Sequence, residues 1–249
     1  MGMQLDKNKY TNSFAKTSLP CKVFETSCPL YNPNTGFDMV YQENKVFNLK
    51  LAAAQLHTLL IRPGETFSFW RAIRHADKHT PYKDGLTVTD GVLTTVYGGG
   101  MCQMSNLLFW MFLHTPLTVL ERRGHDIKDF PEPPSDAPMG VDATVSLGWI
   151  DLKVKNETEY TFQICIEFDE GNITGSILSD QDMGCRYEVK NGDLIYYRKN
   201  NTVYEQVDVW KNRISNTTNQ KMNSALAYKN VCEIGYPLPD HIEVISKDG

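Results

Sequence analysis

A thiol, an imidazole and a carboxylate stand in one order along this chain. Cys102 directly follows Gly98-Gly99-Gly100-Met101, His125 lies between Gly124 and Asp126, and Asp142 opens Asp142-Ala143-Thr144-Val145-Ser146. Thiol-based acyl transfer needs one group of each kind: a nucleophile of lowered pKa, an imidazole that takes and returns the proton, and a carboxylate that orients the ring. The glycines permit positive φ and close backbone approach, and the apolar run Leu107-Leu108-Phe109-Trp110-Met111-Phe112-Leu113 follows, so the stretch predicts a tight turn opening into a buried helix. Cys102 then falls in the first helical turn. Unsatisfied N–H groups and the helix dipole favour a thiolate there, below the free-thiol pKa of about 8.5. Gln103 is a candidate amide donor, and the N–H groups from Gly100 to Cys102 are candidates for an oxyanion hole.

The same residues admit other readings. Cys102 could be a small buried hydrophobe. Gly98, Gly99, Gly100, Met101 and Ser105 could form a ligand site in which a helix N-terminus holds a phosphate or carboxylate, making the protein a non-catalytic binding factor. Cys102, His125 and Asp142 also suit zinc by ligand type, but the reading adopted has no metal and no cofactor. No nucleotide-binding glycine motif is present.

The elements that must position these groups are an apolar helix over residues 46–61, closed by Arg62-Pro63-Gly64, and a half-buried strand over 65–70. Residues 86–97 predict a hairpin turning at Asp90-Gly91, whose second strand delivers the chain to the glycines. After the central helix, stopped by Pro116, residues 117–123 predict a short strand leading to His125. The proline-heavy segment 131–138 predicts an extended surface loop beside it. Residues 142–146, 151–156 and 160–168 read as antiparallel strands, with turns at Gly148 and Asn156-Glu157. Hairpin turns at Gly171-Asn172, Asn191-Gly192-Asp193 and Asn200-Asn201 divide a β-rich C-terminal part, and 235–239 reads as an exposed tail. His57 reads as a satisfied helix residue, and His75 with His79 as a solvated surface. The expectation is an α+β protein with a papain-like or transglutaminase-like core, a Cys102-bearing helix packing on an antiparallel sheet that carries His125 and Asp142. Residues 1–45 form a loop-rich lead-in, 46–180 the core domain, and 181–249 a β-rich extension.

With 249 residues, 41% hydrophobic and 22% charged, the chain can bury one substantial core. A net charge of -5 without a basic cluster leaves no footprint for nucleic acid. No apolar run reaches the roughly 18 residues of a membrane span, and no signal peptide is visible, so a cytoplasmic location with six reduced cysteines is expected.

The motifs Arg62-Pro63-Gly64-Glu65-Thr66-Phe67-Ser68-Phe69-Trp70, Tyr97 to Asn106, Glu121-Arg122-Arg123-Gly124-His125 and Asp142-Ala143-Thr144-Val145 occur in the order seen in the VanW family, which the chain resembles over about residues 46 to 180. Tyr196-Tyr197-Arg198 and Asn223, Ala225 and Tyr228 are similar to resistance-type members of that family. The resemblance implies a link to glycopeptide resistance or cell-envelope metabolism. With the cysteine reading, it implies a small-molecule or peptide-bearing wall precursor as partner, cytoplasmic in this case.

Overall fold

The computed structural model describes residues 9–32, 36–89, 92–128 and 136–247. The chain begins with β1 (Lys9–Tyr10), β2 (Ser13–Phe14) and β3 (Cys21–Pro29), followed by α1 (Met39–Leu56), β4 (Leu59–Ile61), β5 (Glu65–Ser68) and α2 (Phe69–Ile73). The hairpin strands β6 (Asp84–Thr89) and β7 (Val92–Tyr97) lead into α3 (Met101–Leu113). Then come β8 (Thr118–Glu121), β9 (Ile127–Lys128), β10 (Lys153–Lys155), β11 (Phe162–Phe168) and β12 (Asn172–Ser179). The C-terminal strands are β13 (Cys185–Asn191), β14 (Ile195–Lys199), β15 (Thr202–Ser215), β16 (Lys221–Ile234) and β17 (Val244–Ser246).

Helix α3 is the centre of the core. It is apolar nearly all round and buries Met104, Leu107, Leu108, Phe109, Met111 and Phe112. Burying a side chain of this size stabilises the fold by about 2 kcal/mol, so the helix is held by its surroundings more than by its own propensity. One face lies on the five-stranded sheet β2-β4-β11-β12-β3, whose pairings are antiparallel. The approach is closest at Gly175 of β12, where a Cβ would stand 2.6 Å from Met111 Sδ and 3.1 Å from Leu107 Cγ. On the other side, Phe112 meets Phe67 of the four-stranded sheet β1-β5-β10-β8, with centroids 5.2 Å apart. The architecture is α+β, helices packed against largely antiparallel sheets.

Several local expectations change. The segment read as a loop-rich lead-in contains β3, a nine-residue edge strand paired with β12, and Phe24 on it stacks on His114 and meets Trp110 edge-on. Its alternating polar and apolar residues were masked by the prolines and asparagines around them. Helix α1 starts at Met39, seven residues before the apolar run, because Asp38 caps it by accepting the Val40 N–H. It ends at Leu56. Thr58 takes a positive φ of 66°, so Leu59–Ile61 is a strand and not a last helical turn. Residues 69 and 70, expected in a strand, open α2 because the Ser68 hydroxyl caps it. The Asp90-Gly91 turn and residues 131–135 of the proline segment lie outside the described residues.

The C-terminal strands form the sheet β17-β14-β15-β16-β9, with β13 also on β15. Asn200 and Asn201, with φ of 49° and 64°, make the two-residue turn between β14 and β15. The stretch read as an exposed tail continues into β17, which pairs with β14. Strand β9 carries the segment just after His125 into this sheet, parallel to Glu233 and Ile234 of β16. A buried ion pair pins it, Lys128 Nζ to Glu205 Oε1 at 2.7 Å.

The turn into α3 tolerates no side chain at Gly99, where a Cβ would stand 2.1 Å from the Gly85 carbonyl oxygen. Gly99→Ala should therefore lose about 1–3 kcal/mol in urea unfolding. Gly171→Ala, with open space around it, should stay within about 0.5 kcal/mol of wild type.

Candidate active site

Gly100, with φ of 106°, stands at the N-cap of α3 and offers no side-chain cap. The N–H groups of Met101 and Cys102 belong to the first turn, which has no intrahelical acceptors for them. Cys102, Ser105 and Asn106 fall at i, i+3 and i+4, on one face of the helix. That face grips an irregular segment. Ser105 Oγ donates to the Ala143 carbonyl at 2.6 Å, and Asn106 Oδ1 accepts the Ala143 N–H at 2.6 Å. With Ala143 held at both ends of its backbone, Thr144 on one side and Asp142 on the other are brought to the helix N-terminus.

Thr144 Oγ1 lies 3.3 Å from Cys102 Sγ, and the Val145 carbonyl accepts from the thiol at 3.8 Å. His125 acts on the same sulfur, its hydrogen bonding and its charge both lowering the thiol pKa. Its Nδ1 lies 2.9 and 3.0 Å from Asp142 Oδ1 and Oδ2, which leaves Nε2 as the nitrogen for sulfur. The His125 backbone N–H also donates to Asp142 Oδ2, so ring and backbone are fixed by one carboxylate. The structure thus brings Cys102, His125 and Asp142 to one place, although 40 residues separate the first from the last. Neither His125 nor Asp142 is on a strand, as had been expected: His125 sits between β8 and β9, and 142–146 makes only isolated bridges, Arg123 with Thr144 and Ser146 with Ile150. A flat ladder would spend these backbone groups on a neighbouring strand; here α3 uses them.

The electrostatics favour an ion pair. Burial pushes the Cys102 thiol up, but the His125 hydrogen bond and charge, with Thr144 and the Val145 backbone, outweigh it and bring the pKa below its ordinary value. Burial pulls His125 down, and Asp142 and Cys102 together raise it to about 10. Asp142, buried, is held below the usual carboxylate range mainly by His125. By contrast, burial raises the thiols of Cys28 and Cys165.

Other expected site residues are used elsewhere. The Gln103 amide nitrogen donates to the Pro29 carbonyl at 2.7 Å and lies 3.7 Å from Cys28, so it ties α3 to β3 and does not serve as a donor beside Cys102. Ser105 is fully buried and engaged with Ala143, which corrects its expected place in a ligand site. Gly98 and Gly99 donate to Lys83 and Val96 carbonyls, and Met101 is buried, so these three shape the turn and only Gly100 borders the open helix end.

The sequence reading missed three supports. Thr144 solvates the sulfur. Arg122 donates through Nε to the Asp142 carbonyl and through a terminal nitrogen to Asn230 at 2.7 Å, its guanidinium 4.1 Å over the Tyr228 ring. Asn230 and Tyr228, on β16, make the C-terminal sheet a wall of the site. The Cys102, Ser105, Asn106 spacing was the signal available for the helix side; nothing local marks the β16 residues. Gly124 is closely packed there: a Cβ would stand 2.8 Å from Asn230 Oδ1, and that side chain would have to shift.

The pH midpoint of iodoacetamide labelling should therefore lie lower for Cys102 than for an ordinary thiol, with its pKa of about 8.5, and higher for Cys28 and Cys165. His125→Ala should move the Cys102 profile to or above that of an ordinary thiol. Thr144→Val should shift it upward by up to about one unit, the equivalent of one lost hydrogen bond.

A family model described as VanW like protein matches residues 44–178. The chain is 55% identical over 243 residues to the vancomycin B-type resistance protein VanW of Enterococcus faecalis, covering 98% of this chain and 88% of that relative. It is 30% identical over 115 residues to the uncharacterized protein YoaR of Bacillus subtilis, covering 46% of this chain and 36% of that one. No solved structure matches.

Proposed function

This chain belongs to the VanW family, and from that premise we propose that it is a cysteine-dependent hydrolase or acyltransferase acting on an amide or ester of a peptidoglycan precursor, linked to glycopeptide resistance. The observation that carries the reading is the convergence of Cys102 with the hydrogen-bonded pair His125 and Asp142 at an uncapped helix N-terminus. The resistance link rests on the name of the Enterococcus faecalis relative. A papain-like or transglutaminase-like core, with its helix-borne cysteine followed by histidine and carboxylate, is part of the same proposal. So is a cytoplasmic precursor as substrate, which rests on the sequence reading alone; no described helix is long and apolar enough to cross a membrane.

In the proposed reaction the Cys102 thiolate attacks the carbonyl carbon, forming a C–S bond as the carbonyl π pair moves to oxygen. The Met101 and Cys102 N–H groups would stabilise that oxyanion, since Gln103 is engaged with β3. Collapse restores the carbonyl and breaks the C–N or C–O bond, and the His125 imidazolium gives its proton to the leaving group. Water, or an acceptor amine, then attacks the thioester while His125 takes its proton, and Cys102 leaves as thiolate. Asp142 orients the ring throughout.

A second reading, a non-catalytic factor that binds an anionic precursor at the same helix end, is favoured by Lys45. Its side-chain stem lies across Gly100, and no carboxylate pairs with it among the described residues.

The first reading requires turnover to need the charged pair. Activity should rise as the thiol ionises, at a pH below that of an ordinary cysteine, and fall as His125 loses its proton near the raised value of about 10. His125→Ala should lower the rate by about 10²–10⁴-fold. Incubation with a soluble sugar-linked pentapeptide precursor should leave an acyl mass on Cys102, detectable by intact-protein mass spectrometry and absent in Cys102→Ser. Unchanged precursor and no adduct, with binding weakened by Lys45→Ala, would select the binding factor instead.

A further inference from the structure

Residues 146–150 form a tight turn mounted on the wall of the site. Its base is Thr144 and Val145, both against Cys102 Sγ, and it closes through Ile150 N–H and Trp149 N–H to the Ser146 carbonyl, with Gly148 at a φ of 81°. At its tip, Leu147 is 77% and Trp149 71% exposed, the two most exposed large apolar side chains among the described residues. Exposed tryptophans at a surface normally lose their contacts to solvent motion; this one is held. The Arg123 guanidinium lies 4.9 Å over the Trp149 ring, and Arg123 pairs in turn with Asp126 at 2.7 Å, through residues flanking Gly124 and His125. Arg123 also bridges backbone to backbone with Thr144.

The Arg123 guanidinium covers one face of the indole, and with Trp149 71% exposed the opposite face stays open next to a guanidinium–carboxylate pair, which gives it a specific complement. The apolar C–H face of a pyranose stacks on an indole, and the ring's hydroxyl and amide groups need both donors and acceptors at the rim, which Arg123 and Asp126 supply. An anionic lipid surface would require a cluster of cations; here one arginine is neutralised by an aspartate in a chain of net charge -5. We infer that Leu147 and Trp149, with Arg123 and Asp126, form a platform for an uncharged sugar ring of the substrate, on the turn whose base contacts Cys102. This rests on the reading of Cys102 and His125 as the place where a wall precursor is processed, and it adds that recognition runs through the precursor's saccharide as well as its peptide.

The test is calorimetric titration with an N-acetylglucosamine β-1,4 tetramer, in parallel with phosphatidylglycerol vesicles and with a free pentapeptide. Wild type should bind the tetramer saturably. Trp149→Ala should weaken it at least tenfold, and Leu147→Ala by less, with the urea midpoint of each variant checked against wild type. No binding of the tetramer, binding unchanged in Trp149→Ala, or tryptophan-dependent binding of vesicles or peptide alone overturns the platform. The two readings fail separately. Loss of tetramer binding with the low-pH iodoacetamide profile of Cys102 intact removes the platform and leaves the nucleophile; a free-thiol profile with tetramer binding intact does the reverse.

Discussion

The arrangement depends on one backbone unit, the amide and carbonyl of Ala143, held at both ends by Asn106 and Ser105 of helix α3. A buried peptide group must find partners, and outside regular structure side chains have to supply them. Here the helix that carries Cys102 is also the partner. The sulfur and the segment bearing Asp142 and Thr144 are therefore fixed to one another by neighbours one turn apart, and His125 follows because its ring and its own N–H both close on Asp142. Arg122 secures the Asp142 carbonyl from the other side.

Burial and charge oppose each other at this point. Taking the thiol, the imidazole and the carboxylate out of water disfavours their ions, and each is held charged chiefly by the others, with Thr144 and the Val145 backbone aiding the sulfur and Arg122 the carboxylate. That interdependence makes the series responsive as a unit. It also separates Cys102 from Cys28 and Cys165, whose thiols are raised by burial with no imidazole to oppose it.

The C-terminal sheet has a part in this that its position in the chain conceals. Strand β16 sends Asn230 and Tyr228 to Arg122, and its parallel pairing with β9, with the buried Lys128–Glu205 ion pair, anchors the chain just beyond His125. A buried pair of this kind is weak evidence for stability but strong evidence for register, since neither charge tolerates loss of the other. The C-terminal strands are thereby a wall of the site.

Much of the local structure was legible in residues alone. Three glycines before an apolar run announced α3 and put Cys102 in its first turn, because positive φ and helical burial are properties of a few adjacent residues. The Asn200-Asn201 turn was readable for the same reason. The start of α1 and the strand β3 were less so: a single cap at Asp38 and a long-range pairing with β12 overrode the local composition. The roles of Gln103 and Ser105 could not be read from spacing, since an amide or hydroxyl beside a nucleophile serves whichever acceptor the fold brings near, and here those are Pro29 and Ala143. What the sequence by itself determined was the set of groups and their order, a thiol at a helix N-terminus with a histidine and an aspartate to follow. Only the tertiary structure decided that these three meet, and that Thr144, Arg122 and Asn230 support them, because hydrogen bonds between residues far apart in the chain are set by packing and leave no local mark.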